Sequence, residues 1–320
     1  MGTTQTQTKW QWENATAGAL AGFATVAVMH PLDVVRTRFQ ANDGRVLNLP
    51  TYKNTAQALF TIARSEGLRG LYAGFHPSLL GSTVSWGFIF LFDMSICSYD
   101  RAKERYSQNK GEKLSPGLHL VSAAEAGILV SLCTNPIWLI KTRMQLQNPL
   151  AQSKPYSGVY DALRTIMREE GWRALYKGIG PSLFLQVSHG AIQFTAYEEL
   201  RKFIIKIKSE GRIERPGTAD KVLNSVDYAI LGASSKLAAI LLSYPFQVIR
   251  TRLQQRPSAD GTPRYLDSWH VVKGTARLEG ILGFYKGITP NILKNVPASS
   301  ITFVVYENVM SLLRLARRKD

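Results

Sequence analysis

The sequence predicts an all-α membrane protein made of three tandem units, each with two transmembrane helices. Two observations carry this prediction: six long apolar stretches, and a motif that recurs three times at nearly constant spacing. Each stretch has roughly the 20 residues that a helix needs to cross a bilayer. The six stretches are Ala15–Val35, His76–Cys97, Leu118–Ile140, Ile179–Tyr197, Tyr228–Ile249 and Ile288–Val305.

The recurring motif begins at a proline inside the first stretch of each unit. The three copies read "HPLDVVRTR", "NPIWLIKTR" and "YPFQVIRTR", with prolines at 31, 136 and 245. Each is followed by an acid-glycine pair and an aromatic-x-glycine, as "EGLRGLYAG", "EGWRALYKG" and "EGILGFYKG". Self-similarity at a fixed period indicates repeats of one structural unit. We assign the units to residues 13–106, 115–208 and 222–316.

Within each unit the proline predicts a kink in the first transmembrane helix, which a bundle tolerates when neighbours satisfy the freed carbonyl. The stretch "YKNTAQALFTIARSEG" predicts a short interfacial helix that ends at its glycine, and the second span begins near Pro77, Pro181 or Pro290. The small residues Gly18 and Gly22, four apart, predict close helix contact in the first unit.

Composition argues against several classes of protein, and a soluble basic nucleic-acid-binding protein stays an alternative that partition of the chain into membranes would exclude. The net charge is +16, but the cations lie in short clusters between apolar blocks, unlike the single basic face of a soluble nucleic-acid-binding protein. Two cysteines exclude a disulfide framework and a thiolate-rich metal site. No glycine-rich phosphate loop, metal-ligand spacing or nucleophile constellation indicates an enzyme.

These three motif copies closely resemble the mitochondrial carrier family, over about residues 13–315. The resemblance implies a six-helix, pseudo-threefold bundle whose central cavity opens alternately to the two sides of the membrane. The acid position of the motif holds Asp33, Trp138 and Gln247 in the three units. Together with "TNPIWLIKTRMQLQ" and "YPFQVIRTRLQQR", this resembles the branch that carries folates, FAD, NAD and pyrimidine nucleotides.

In the family, the acid of one motif pairs with the base of the next and closes the floor of the cavity. This implies three contacts at the floor gate: Asp33 with Lys141, Trp138 with Arg250, and Gln247 with Arg36. Three glutamines, Gln40, Gln145 and Gln254, would brace these contacts from below. Because only the first contact is an ion pair, Arg36 and Arg250 are candidates to hold an anionic substrate. Trp138 either stacks on a flat heterocycle or simply plugs the floor.

The family's upper gate is an aromatic-acid-x-x-base motif near the end of each second span. It is present in the second unit as Glu198 and Arg201, and in part in the third as Glu307. In the first unit Asp100 and Lys103 fit only if "DMSICS", residues 93–98, is an insertion. We expect Arg201 to pair with Glu307, and Lys103 to reach Glu198 only through distortion of its helix.

Family carriers hold their substrate midway along the second spans, seven residues past the aromatic-x-glycine. Lys294 is the strongest candidate, because an ammonium deep in a membrane is costly unless it is functional. Trp86 either stacks on the substrate or packs against its surroundings. His189 either binds the substrate or forms a hydrogen bond within the helix bundle. The implied substrate-binding residues on these spans are Gly81, Ser82, Trp86, Leu185, Gln186, His189, Gln193, Lys294 and Asn295.

The resemblance therefore implies a transporter for folate, with an FAD, NAD or pyrimidine nucleotide carrier as the alternative. It implies a monomer surrounded by membrane lipids, including anionic ones, with no cofactor and no nucleic-acid partner. The expected location is the inner envelope of the plastid, with the mitochondrial inner membrane as the alternative. A non-transporting membrane scaffold on the same fold is a further alternative, against which the gate residues argue.

Overall fold

The computed structural model describes residues 2–44, 52–82, 116–147, 155–209, 224–257 and 262–317. Eight α-helices have both ends within these ranges, and residues 75–82 are also helical. The helices are α1 (Gly2–Ala41), α2 (Thr55–Leu71), α3 (Pro116–Gln145), α4 (Val159–Glu169), α5 (Ile179–Ser209), α6 (Ser225–Leu253), α7 (Ser268–Glu279) and α8 (Ile288–Arg317). The predicted all-α architecture is confirmed.

The long helices carry the predicted spans. Helices α1, α3 and α6 each continue through the motif proline. Among the residues that the structure describes, three segments can cross a membrane by length and composition: Thr16–Ala41, Val226–Leu253 and Ile281–Leu315. Helices α3 and α5 have 30 and 31 residues, which is also long enough. The predicted span at 76–97 runs beyond residue 82, outside the described residues.

A short helix follows each first span, and glycine interrupts or ends it at the acid-glycine pair. Gly67, Gly171 and Gly280 have φ of 68°, 79° and 66°, a backbone region that L-residues with a side chain avoid. In the second and third units a 3₁₀ turn then leads into the second span, at Trp172–Tyr176 and Ile281–Tyr285. The acid-glycine motif therefore marks a turn, as predicted.

The residue before each motif proline ties the first span to the turn ahead of the second span. In each case a side chain bonds to a backbone carbonyl of the aromatic-x-glycine segment. The three bonds are His30 Nε2 to Ala73 at 2.9 Å, Asn135 Nδ2 to Leu175 at 2.7 Å, and Tyr244 Oη to Lys286 at 3.0 Å.

The most extensive packing joins α1 to α8 and α5 to α6, so the first and last long helices of the chain lie side by side. The prediction that Gly18 and Gly22 make a close helix contact is wrong, because a methyl group at either would meet nothing within 4 Å. Ala17 and Ala21 are the fully buried small residues of α1 instead. Successive residues of an α-helix are rotated by about 100° around its axis, so a shift of one position is enough to turn a packed residue into an exposed one.

Candidate functional site

Asp33 is the centre of a polar cluster where the first spans converge. Its Oδ2 lies 2.8 Å from Nζ of Lys141, as predicted, and accepts a 3.0 Å hydrogen bond from Nε2 of Gln145. Its Oδ1 lies 2.5 Å from Nζ of Lys294 and 3.9 Å from Nη1 of Arg36. The carboxylate is nearly inaccessible, with a side-chain exposure of 7%. One acid on α1 thus holds cations from α3 and α8.

The predicted contact between the third and first units is also present. Arg36 donates from Nη2 to the side-chain oxygen of Gln247. Arg250, in contrast, has no hydrogen bond or ion pair with any of the described residues, and Arg36 is the neighbouring charge that acts on it. A guanidinium beside a like charge and without an acid is ready to accept an anion.

The predicted position of Trp138 beside Arg250 stays a prediction. The cation over the indole ring is Lys141, with Nζ 4.8 Å from the ring centroid. Residues 138 and 141 are three apart on α3 and therefore neighbours on one helix face. Gly81 packs on the other side, where an added Cβ would lie 3.3 Å from Ile137 and 3.6 Å from the indole.

The three motif glutamines join neighbouring units, each through the threonine between the two motif bases. Gln145 accepts from Thr37 at 2.8 Å, Gln254 from Thr142 at 3.0 Å, and Gln40 from Thr251 at 3.0 Å. Only Gln145 bonds a gate side chain directly, because only the first unit has an acid for it to brace. The other two brace the adjacent helix.

A second ring, which the sequence interpretation missed, is built by the second base of each motif. Each arginine pairs with the glutamate of its own acid-glycine turn and donates from Nε to the backbone carbonyl of the next unit's glutamine. The ion pairs are Arg38–Glu66, Arg143–Glu170 and Arg252–Glu279. The Nε bonds reach Gln145 at 3.1 Å, Gln254 at 3.2 Å and Gln40 at 3.1 Å. The signal was the recurrence itself, since both partners return in every unit.

The ring lies at the end of the spans and perturbs the acid of the second unit. Burial would raise the pKa of Glu170, but hydrogen bonds and charge from Arg143, together with Lys177 at 2.9 Å, hold that pKa below its ordinary value. Glu170 is therefore a structural anion, charged at neutral pH. Lys286 contacts Glu279 at 2.6 Å, whereas the first unit has Ala73 at this position.

The predicted substrate-binding residues differ in their surroundings. Lys294 lies against the gate acid. Four side chains are engaged by neighbouring helix groups: Ser82 with Ser78 O, Asn295 with Asn291, Gln186 with Ser131, and His189 with Ser243. Leu185 and Gln193 are half-buried on α5. Trp86 lies outside the described residues.

Of the predicted upper gate, Glu307 is exposed on α8 and Arg201 is half-buried on α5. Their pairing stays a prediction. Asp100, Lys103 and the suspected insertion at 93–98 lie outside the described residues.

This arrangement has the charges to bind an anion. Lys141, Lys294 and Arg36 lie around one carboxylate, Asp33, and Arg250 lies near Arg36. Within the described ranges, no group of three His, Cys, Asp or Glu residues could hold a metal ion. The floor therefore combines a polar closure with a surplus of positive charge.

Comparison with known proteins gives matches along the whole chain. The family model described as mitochondrial carrier protein matches three segments, 7–110, 112–208 and 221–316. The chain is 70% identical to "Folate transporter 1, chloroplastic" of Arabidopsis thaliana, covering 95% of this chain and 96% of that protein. It is 35% identical to "Nicotinamide adenine dinucleotide transporter 1, chloroplastic" of the same plant, over 94% and 91%. A mitochondrial pyrimidine nucleotide transporter of Saccharomyces cerevisiae is 30% identical, over 94% and 86%. With three repeats matched and relatives aligned over nearly their full length, the chain belongs to the mitochondrial carrier family.

Proposed function

We propose that this protein carries folate and related pterin anions across the inner envelope membrane of the plastid by alternating access. The observation that carries the proposal is the charge imbalance of the cavity floor, where Lys141, Lys294 and Arg36 lie around the carboxylate of Asp33 and Arg250 adds a fourth cation beside Arg36. A surplus of buried positive charge is costly unless an anion neutralises it. Folate supplies two carboxylates on its glutamate and a flat heterocycle at the other end.

The high identity to a protein named as a folate transporter favours folate over the other flat anions. Relatives at 35% and 30% identity are named as carriers of nicotinamide adenine dinucleotide and of pyrimidine nucleotides. FAD, NAD and pyrimidine nucleotides are the second candidates, because their phosphates would meet the same cations. The chloroplast in the name of that folate transporter also supports the plastid location, and the mitochondrial inner membrane is the alternative.

The contacts at the floor support an alternating mechanism. With Asp33–Lys141 and Arg36–Gln247 in contact, we infer that the cavity is closed at the motif end and opens at the other. Substrate would enter there, be held by Arg250 and Lys294, and leave after the floor contacts separate. Nothing in this cycle makes or breaks a covalent bond, and we accordingly assign transport and no enzymatic activity.

Uptake by liposomes containing the purified full-length chain tests the proposal. We expect saturable uptake of labelled folate that unlabelled FAD, NAD and UTP inhibit weakly. Arg250→Gln should reduce uptake about 10-fold or more, as expected for a lost charge-assisted contact, and Arg250→Lys should retain part of it. Lys202→Gln, which removes an exposed cation paired with Glu199, is the matched control and should transport normally. Uptake of a nucleotide without uptake of folate would refute the substrate assignment.

A further inference from the structure

Lys236 is a cation of α6 that lies well above the cavity floor. The helix begins at Ser225 and has 29 residues, so Lys236 is in the middle part of a segment that can cross a membrane, and its side chain is exposed. The floor residues Gln247 and Arg250 follow Lys236 on the same helix. Their spacing puts all three residues within about 60° of one another around the helix axis. Lys236 therefore shares the face of α6 that carries the floor residues.

The apolar residues of α6 lie on a different side of the helix. Ile230 and Leu241 are 54% and 44% exposed. Their positions in the chain place them about 120–140° around the helix axis from Lys236. Exposed apolar side chains on a transmembrane helix face lipid, whereas charged ones face the interior of the bundle or a cavity filled with water. The ammonium of Lys236 is therefore turned toward water in the cavity.

The described groups around Lys236 are polar and include no carboxylate. On the same face of α6, two turns closer to the floor, Ser243 contacts Nδ1 of His189 on α5 at 3.1 Å. Ser243 donates its hydroxyl proton to the carbonyl of Ala239 at 2.6 Å, so its oxygen accepts from the histidine ring. Among the described residues, Lys236 is the charged group that acts on His189. Lys236 is thus a cation in the membrane that the described side chains do not neutralise.

The distance between Lys236 and the floor is too large for one glutamate to bridge. The helix rises by roughly 21 Å from Lys236 to Arg250. The two carboxylates of a single glutamate belong to one amino acid and lie together at one level. Each further γ-linked glutamate adds a carboxylate and lengthens the chain by more than the ~3.5 Å of an ordinary extended residue, because two methylene groups are added to the link. A chain of three glutamates, met by two long side chains, has the length to join both levels.

We propose that Lys236 is a second anion site, which binds an α-carboxylate of a γ-linked glutamate chain and makes the carrier prefer folates with several glutamates. The inference rests on the proposed function, since it takes folate as the cargo. The terminal glutamate lies at Arg250 and Lys294, and a preceding glutamate lies at Lys236. The added carboxylate neutralises a cation that is otherwise costly in the middle of a membrane. Lys236 is therefore a specificity-determining residue, because a single glutamate held at the floor does not reach it.

Equilibrium binding of folic acid and of pteroyltriglutamate to the purified full-length chain tests this inference. The unmodified protein should bind the triglutamate about tenfold more tightly, as expected for one additional charge-assisted contact. In Lys236→Gln this preference should fall to about twofold or less, and Lys236→Arg should retain most of it. Arg250→Gln should weaken both ligands by similar factors and keep the preference, because both place a carboxylate at the floor. Lys202→Gln is the control for the loss of an exposed lysine and should keep the preference too.

The outcomes separate this inference from the proposed function. If the unmodified protein binds folic acid and the triglutamate equally well, the proposed function stands and the second site is overturned. The second site is also overturned if the preference persists in Lys236→Gln, because the extra charge then acts only through the general field of the cavity. If neither ligand binds, the proposed function fails and this inference fails with it.

Thiol labelling in lipid nanodiscs tests the position of the site, since both ends of the cavity are accessible there. Lys236→Cys and Leu241→Cys are each combined with Cys97→Ser and Cys133→Ser, and a charged methanethiosulfonate is the reagent. We expect rapid labelling at position 236 and little at position 241. Pteroyltriglutamate should slow the labelling at 236 more than folic acid does at equal occupancy. Labelling at 241 but not at 236, or equal protection by the two ligands, would overturn the proposal.

Discussion

Arg143 in the second unit donates from Nε to the backbone carbonyl of Gln254 in the third unit at 3.2 Å. The same guanidinium pairs with Glu170 of its own unit, and its side chain is completely buried. Arg143 therefore links the short helix α4 and its own span α3 to the neighbouring span α6. Equivalent arginines repeat the arrangement in the other two units, and together they hold the ends of the three first spans in a closed ring.

Removing this guanidinium should destabilise the whole bundle. In Arg143→Gln, Glu170 loses its bidentate partner and the carbonyl of Gln254 loses a donor. Breaking a buried pair by removing one member costs roughly 3–5 kcal/mol. A fall in Tm of the detergent-solubilised protein measures the loss. Lys202→Gln, which removes a pair exposed on both sides, should leave Tm unchanged. Equal effects in the two variants would contradict the structural importance of the ring.

The depressed pKa of Glu170 predicts a loss of stability in acid. Its folded pKa lies below the ordinary value of 4.5, so the folded state binds fewer protons than the unfolded state near that pH. The stabilisation is complete above the unfolded pKa and disappears as the pH falls through the folded pKa. Measured from about pH 7 to pH 3.5, the advantage in Tm over Glu170→Gln should shrink only at the acid end.

Glu199→Gln is the control for the pH experiment, because Glu199 is exposed and its pair with Lys202 is exposed too. The difference in Tm between this variant and the unmodified protein should be small throughout the pH range. A constant difference for Glu170→Gln from neutral to acid pH would mean that its charge contributes nothing to stability.

Two glycines with positive φ should differ in their tolerance of alanine. Both Gly280 and Gly287 have φ in the left-handed region, which costs a residue with a side chain about 1–2 kcal/mol. At Gly280 an added Cβ meets open space, whereas at Gly287 it lies 2.9 Å from the backbone oxygen of Arg36. We expect Gly287→Ala to lose about 1–3 kcal/mol more than Gly280→Ala because of this overpacking. Thermal unfolding of the two variants, side by side, makes the comparison, and equal losses would exclude a close approach of the turn to α1.

Trp138 should affect substrate affinity if its ring faces the substrate. In Trp138→Leu we expect the folate concentration for half-maximal uptake to rise by about 2- to 30-fold, the equivalent of a cation–π or stacking contact of about 0.5–2 kcal/mol. Trp138→Phe should be intermediate, because it retains a smaller ring. An unchanged half-saturation in Trp138→Leu with a lower maximal rate would show that the indole closes the floor and binds nothing.

The resemblance to the carrier family made part of this site predictable. The family's pairing of the acid of one motif with the base of the next implied Asp33–Lys141 and Arg36–Gln247, and the structure contains both contacts. The arginine ring recurs just as regularly in the sequence. It was missed because the pairing of two motifs about 28 residues apart depends on how the short helix folds back on its span.

The sequence interpretation fell short where neighbours had to be chosen. The contact of Trp138 with Lys141, three positions away on the same helix, was not predicted. Gly18 and Gly22 face open space. Their spacing predicts that small residues line one face of the helix, but it does not tell which face of the helix packs against a neighbour. Lys294 was recognised as costly and functional, but its partner Asp33 is 261 residues away in the chain.

The sequence by itself determined the three units, the long helices, the turns at glycine and which residue types meet at the floor. These follow from hydrophobic length, from backbone limits at proline and glycine, and from threefold repetition. Only the tertiary structure decided which cation each acid holds and which cation keeps no acid. Charge pairing depends on distances of a few ångströms between helices that are remote in the chain, and these are set by the packing of α1, α3, α6 and α8 around one axis.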